Sequence, residues 1–396
     1  MNTRLRFLTA GESHGPMLTG ILEGMPAGLP LAPEDLDRDL LRRQEGYGSG
    51  GRMQIEHDRV RFTGGVMDGH TTGAPIGLII HNRDWKNWAE KDIPPMTVPR
   101  PGHADLTGAI KYAYDDLRLS LERASARETA MRVAVGAICK KLLAEFGIRV
   151  GGYVVQIGDV NADIPAKMSY EERFEAAETS EVRCPDPAAD EAMRAAIRQI
   201  KVDKDTLGGV FEIVVLGLPP GLGSHVHYDR RLTGRLLGAM GSIPSIKGAE
   251  IGMAFENTRR PGTQVHDAIT VEDSLLRRTT NRAGGLEGGI TTGEPLVVRA
   301  AMKPISTTLT PIASVDLATG EPSPTVYERS DFCAVPRAVV VGEAMVAFVL
   351  ADALLEKLGG DSMKELQERF TMLNKGALGE LTMRNRAWRF GYEDGR

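Results

Sequence analysis

Cysteine is scarce in this chain: three residues (Cys139, Cys184, Cys333) among 396, far apart and without a CxxC pair. That excludes a disulfide framework or a zinc ribbon and fits a reducing compartment. Aromatic residues make up only 5%, too few for the stacking platforms of single-stranded nucleic-acid binding. Net positive charge is missing too: the formal balance is −5, which removes general nucleic-acid binding and confines any cationic site to one place. No P-loop, GxSxG or HExxH occurs, so hydrolase and nucleotide-triphosphatase readings lack a motif. The opening Met1-Asn2-Thr3-Arg4-Leu5-Arg6-Phe7 has no long apolar stretch of the secretory kind. The one long apolar run, 339–355, carries Glu343 and Asp352 and is expected as a buried helix rather than a membrane span. A soluble cytoplasmic protein is expected.

Hydrophobic residues at 42% supply a large core, and 45 glycines supply many tight turns. Two of those turns frame histidines: Gly11-Glu12-Ser13-His14-Gly15 and Arg100-Pro101-Gly102-His103-Ala104-Asp105. Glycine there lets the backbone approach a ligand, and imidazole is the side chain most easily tuned to exchange a proton near neutrality. A carboxylate stands beside each ring in sequence, and the second motif adds an arginine. Arg42, Arg43, Arg52, Arg123, Arg127, Arg132 and Arg329 add cationic groups. The i,i+4 spacing of Arg123 and Arg127 predicts both on one face at a helix N-terminus, where an anion is already favoured. The sum is acid–base chemistry on an anionic substrate.

Other motifs are weaker. Residues 46–51 match GxGxxG literally, but they follow a helical pattern and precede the strand-like 53–56, the reverse of a dinucleotide fold; a ligand-facing loop ending at Arg52 is expected instead. Lys303 with Ser306, Thr307 and Thr308 could hold a phosphate. His225 and His227 could share one strand face, yet no third ligand has suitable spacing, and no metal is assigned.

The chain also repeats itself. Residues 64–76 reappear as 284–296, and Gly24-Met25-Pro26-Ala27-Gly28-Leu29 is echoed by Gly217-Leu218-Pro219-Pro220-Gly221-Leu222. Arginine-rich helices are expected after each echo, at 33–43 and 229–240. A long helix closes each half, the first at 125–146 on the period of Met131, Val135, Ile138 and Leu142 with a stop at Gly147. Strands are expected at 77–80, 211–216 and 297–302. The reading is one α+β domain over 1–396, with pseudo-duplicated halves at about 1–150 and 208–360, a helical insertion at about 160–205 and a tail at 361–396. On residues alone, an acid–base enzyme, a non-catalytic anion- or flavin-binding protein and a phosphotransferase all stay open.

Segments 11–15, 100–105, 123–132, 242–252, 281–285, 303–307 and 329–333 together resemble the chorismate synthase family, with matching blocks across most of residues 5–357. The resemblance implies a single-domain β-α-β sandwich, with long central helices between antiparallel sheets, in a homotetramer. It implies anti-1,4-elimination of phosphate from 5-enolpyruvylshikimate 3-phosphate to chorismate, with reduced FMN required and no net redox change, in aromatic amino-acid biosynthesis. Carried over by motif, His14 is the acid near the departing phosphate, His103 protonates the reduced flavin, and Asp331 acts with the flavin in removing the ring proton. Ser13, Arg43, Arg52, Arg100 and Arg127 bind substrate. Arg123, Ala124, Ser125, Pro244, Ser245, Gly288, Lys303, Pro304, Ile305, Ser306, Thr307 and Arg329 line the FMN site. NADPH, the flavin reductant in some members, falls to Arg43 and Ser49. Ser49 stands where many members carry arginine, with Arg52 or Arg42 as replacements nearby.

Overall fold

A computed structural model describes residues 4–48, 57–328 and 330–388. Its longest helix, Val335–Leu358, is apolar on every side and buried along nearly its whole length, the pattern of a core helix. Pro336 sits in the first turn, where its missing N–H costs nothing, and Gly359 at φ 63° ends the helix. It is long and apolar enough to cross a membrane, but 94% of its apolar window lies inside the fold. The helix Thr129–Ala144 crosses it, and there Gly136 is required by close approach: a Cβ at this position would fall 2.2 Å from the Cβ of Ala344.

Two antiparallel sheets flank this helical layer. The first runs Arg6–Ala10, Met17–Glu23, Ile76–His81, Val60–Gly64, with Leu8 opposite Ile21 and Gly20 opposite Leu78. The second runs Ile246–Ile251, Leu296–Met302, Gly209–Leu216, Arg149–Ile157, Val160–Asn161. Numbered along the chain, the first sheet has the order first, second, fourth, third. The four longer strands of the second sheet, read from Arg149–Ile157 and leaving out Val160–Asn161, have the same order. Thr129–Ala144 packs against the first sheet and Val335–Leu358 against the second. The core is continuous across the layers, from Leu18, Leu22 and Leu78 through Val133, Ile138, Val339 and Leu350 to Phe211 and Ile213.

Pro33–Gln44 and Leu232–Gly241 form the arginine-bearing helices, and the second starts three residues later than expected because Tyr228–Arg230 is a tight 3-10 turn. The insertion holds the helices Tyr170–Thr179 and Pro187–Val202. In the tail, Met363–Thr371 is helical and buries Met363 and Leu366. Buried charge is paired. Glu343 accepts from Arg42 Nη1 and Nη2 at 2.7 and 2.9 Å and from Lys140 Nζ at 2.8 Å, and Asp352 bonds Arg235 and the backbone N–H of Leu5. Burial pushes the Glu343 carboxyl up, but the Arg42 and Lys140 charges prevail and hold it down at about 2.

One expectation fails near the site. The helix read as continuous over 125–146 begins only at Thr129. A separate helix, Arg118–Ala124, ends at Ser125 (φ −63°, ψ 143°), followed by a 3-10 turn at Ala126–Glu128. Ser125 is extended and caps that turn by accepting from the backbone N–H of Arg127. Arg123 and Arg127 therefore do not share a face of one helix.

Candidate functional site

A cavity of about 770 Å³ opens where the Arg118–Ala124 helix, the central helices and the end of the second sheet meet. The first glycine turn forms one wall. Gly11 adopts φ 111°, and a Cβ there would lie 2.4 Å from the Met17 carbonyl oxygen, so only glycine closes the turn. The turn presents Ser13 and His14. His14 Nδ1 lies 2.8 Å from Glu122 Oε1, its backbone N–H donates to Glu122 Oε2 at 2.8 Å, and its ring lies 4.2 Å from that of Trp88. The partner carboxylate is thus Glu122 rather than the adjacent Glu12. Burial raises the Glu122 carboxyl, but the bonds and charge of His14, with Arg118 behind, carry it below its ordinary value. Ser13 Oγ and Ser125 Oγ lie 3.0 Å apart.

The second glycine turn faces the Lys303–Thr307 run. His103 Nδ1 is 2.5 Å from Asp105 Oδ1, and Arg100 donates to both oxygens of the same carboxylate at 2.8 and 3.0 Å. Arg100 Nη1 also donates to Thr307 Oγ1 at 3.0 Å. Arg100, expected to bind substrate, is thus engaged mainly in locking the turn. Asp105 is fully buried; burial alone would raise it, yet His103 and Arg100 hold it well below the carboxylate range. Lys303 also lines the cavity, its ammonium pushed down by burial and by Lys247.

The cations are concentrated at one end. Arg127 grips Asp58 through Nη1 at 2.6 and 2.8 Å and donates to Asn82 Oδ1 at 2.8 Å. Arg43 reaches the same Asp58 at 3.5 Å and bonds Thr129 and the Ala126 carbonyl. Burial lowers the Arg43 guanidinium to about 10, with Asp58 opposing and Arg127 and Arg337 reinforcing. Asp331 accepts from Arg337 Nη1 at 2.6 Å. Around this end of the cavity, Arg43, Arg127 and Arg337 share Asp58 and Asp331.

Most expected residues therefore converge: Ser13, His14, Arg43, Arg100, His103, Arg123, Ala124, Ser125, Arg127, Pro244, Ser245, Lys303, Ile305, Ser306, Thr307 and Asp331 all line one cavity. Arg123 does so while donating to the Thr9 carbonyl and hydroxyl. Ser245 is left-handed at φ 68°, and its carbonyl accepts from the Lys303 N–H. Gly288 is not brought there; it lies in the turn between Leu286–Glu287 and Ile290–Thr291, 3.8 Å from His225 for a built Cβ. Pro304 is exposed and off the cavity wall. Ser49, Arg52 and Arg329 lie outside the described residues, as does the strand expected at 53–56.

Glu122, Asp58, Asn82, Trp88 and Arg337 were missed. Glu122 sits beside Arg123 in a motif already singled out, a signal that was available; Asp58 and Asn82 have none, because their partners are distant in sequence. Asn82 also donates to the Gly15 carbonyl at 2.7 Å, tying the His14 turn to Arg127.

Comparison with known proteins places these features in a family. The family model described as chorismate synthase matches residues 5–355. A curated relative named chorismate synthase from Syntrophotalea carbinolica is 56% identical over 390 residues, covering 96% of this chain and 99% of the relative. The Aquifex aeolicus protein of the same name is 55% identical over 386 residues, covering 92% and 96%. A solved structure titled "Crystal Structure of Chorismate Synthase" superposes with a TM-score of 0.76 at 48% identity, covering 93% of this chain and 96% of that one. The chain belongs to the chorismate synthase family.

Proposed function

We propose that this family member is a carbon–oxygen lyase that converts 5-enolpyruvylshikimate 3-phosphate to chorismate and phosphate by anti-1,4-elimination, with reduced FMN required and no net redox change. The observation that carries the reading is one cavity that brings two histidine–carboxylate pairs together with the guanidinium groups of Arg43, Arg127 and Arg337. The substrate bears a phosphate and two carboxylates, and Arg43 and Arg127 with Ser13 offer the charge and donors to bind it. In the elimination a ring C–H and a C–O bond break, a new C=C forms, and a proton and phosphate leave. In this reading His14 gives a proton to the departing phosphate, and Asp331, which accepts from Arg337, takes part in removing the ring proton. His103, locked by Asp105 and Arg100, holds a proton at the flavin side.

The residues fit a flavin. About 770 Å³ falls in the usual range for cofactor sites, roughly 300–1,000 Å³. Leu121, Ile243, Ile246 and Val341 offer an apolar wall for a flat ring, and Lys303, Ser306, Thr307 and Arg123 offer cations and hydroxyls for its phosphate. When bound, reduced FMN supplies the electron density that eases departure of the phosphate. Arg123, Ala124, Ser125, Pro244, Ser245 and Lys303 with Ile305–Thr307 would hold it. The described cavity is assigned without Gly288 and Pro304. We further propose one domain built of two duplicated halves, in keeping with the repeated strand order. Three buried free cysteines suit the cytoplasm, where we place the protein as a homotetramer.

The test is anaerobic incubation with 5-enolpyruvylshikimate 3-phosphate and FMN, chemically reduced in one tube and oxidised in the other. Chorismate in the reduced tube alone supports the reading; absence from both, with FMN bound, refutes it.

A further inference from the structure

The two imidazoles look alike in sequence, yet their carboxylates are neutralised differently. Asp105 is held by both His103 and three bonds from Arg100, two from its guanidinium and one from its backbone N–H. Glu122 has His14 at hydrogen-bond distance twice over, at the ring and the backbone, while its nearest guanidinium, Arg118, stands back at 3.7 Å. Glu12 lies in its own turn, against Gly15. Lys91 and Arg118 lie over the Trp88 ring, their cationic groups 5.0 and 5.8 Å from its centroid, and Glu328 pairs with Arg118 at 3.6 Å. Glu122 and Arg118 share one helix, packed against the His14 turn through the bond from the Ser13 N–H to the Glu122 carbonyl.

From this geometry we infer that Glu122 is the positioning residue of His14: it fixes the proton on Nδ1 and aims Nε2 at the cavity. Three constraints set the ring. Nδ1 is tied to Oε1, the backbone N–H is tied to Oε2 of the same carboxylate, and the ring face rests on Trp88. A carboxylate bonded to one ring nitrogen orients the other and raises its basicity. The inference rests on the reading of His14 as the acid of the elimination, and it adds the group that orients that acid.

The test is ¹⁵N-detected NMR on ¹⁵N-histidine-labelled protein, which reads the tautomer of each neutral ring, with His14→Gln and His103→Gln variants to assign the signals. The parent chain should hold the His14 proton on Nδ1, and Glu122→Ala should lose that single tautomer while the His103 signals stay put. An unchanged His14 tautomer overturns the inference. Should Glu122→Ala not fold, the parent chain itself decides: a His14 proton on Nε2 overturns the inference equally. With reduced FMN and substrate, Glu122→Ala should lower kcat about 10- to 100-fold with KM nearly unchanged, less than removal of an acid group costs. Glu122→Gln, whose amide oxygen still accepts from Nδ1, should recover part of that loss. An equal loss in both variants with unaltered His14 signals would make Glu122 merely structural. If the wild-type chain makes no chorismate, the functional reading fails while the tautomer still decides the role of Glu122.

Discussion

The crossing of Thr129–Ala144 over Val335–Leu358 can be tested by adding a single methyl group. In Gly136→Ala the new Cβ would lie 2.2 Å from Ala344 Cβ, 2.4 Å from Ala344 Cα and 2.8 Å from its carbonyl oxygen. Carbon pairs prefer about 3.5–4.0 Å, and two of these three atoms are backbone, so no rotamer change relieves the clash and the helices must part. Overpacking of this kind costs about 1–3 kcal/mol, and a contact with backbone belongs at the upper end. Opposing it, alanine is a better helix former than glycine by about 1 kcal/mol. Packing wins, and the expected net loss is about 2 kcal/mol by that difference. Gly238→Ala supplies the control: it lies in the helix Leu232–Gly241, its added Cβ would meet nothing within 4 Å, and it should gain about 0.5–1 kcal/mol. Urea midpoints for both variants and the parent chain, at one protein concentration, separate the two effects. If Gly136→Ala is as stable as the parent, or follows Gly238→Ala upward, the close crossing is wrong.

His14→Ala and His103→Ala should each lower turnover by roughly 10²–10⁴-fold, read in the anaerobic assay; near-normal rates in both would remove their assigned roles. Asp331→Asn should leave FMN affinity, followed by flavin fluorescence, nearly intact while slowing the elimination. Loss of flavin binding would make Asp331 structural. Glu343, held at about 2 in the fold, should make stability depend on acid. Its carboxyl is depressed below the unfolded value, so its contribution is complete above about pH 5 and drains away as pH falls toward 2. Glu343→Gln should flatten that part of the curve of urea midpoint against pH, and an unaltered slope would show that other carboxylates carry it.

The sequence made the main helices legible where one side, or every side, had to be apolar. Val335–Leu358 is the clearest case, because no amphipathic alternative exists for so uniform a run. The break at Ser125 was illegible for the opposite reason. Ala124-Ser125-Ala126-Arg127 would tolerate a helix, and what bends the chain there is tertiary: Ser13 Oγ against Ser125 Oγ, and Arg43 donating to the Ala126 carbonyl. The glycine turns announced His14 and His103, since a turn of that kind is a local matter. Their supports were only partly visible. Asp105 and Arg100 lie within five residues of one another and of His103. Glu122 reaches His14 across 108 residues, and Asp58 reaches Arg127 across 69. Pairings at such separations are set by how the sheets and helices close on one another, which no local spacing encodes. Motif correspondence also carried Gly288 and Pro304 to the cofactor site, and neither is among the residues that line this cavity.

The cavity draws His14, Arg43, His103 and Arg127 from early in the chain and Ser245, Lys303, Asp331 and Arg337 from late in it. Neither stretch supplies the whole lining. Thr129 and Arg132 on one crossing helix and Ala338 and Val341 on the other also face the cavity. The glycine contact that sets the spacing of those helices thereby sets the width of the reaction chamber. A substitution deep in either half, remote from any reacting atom, can reach turnover by that route. The tolerance of the core to change is bounded by the width the site requires before it is bounded by the stability of the fold.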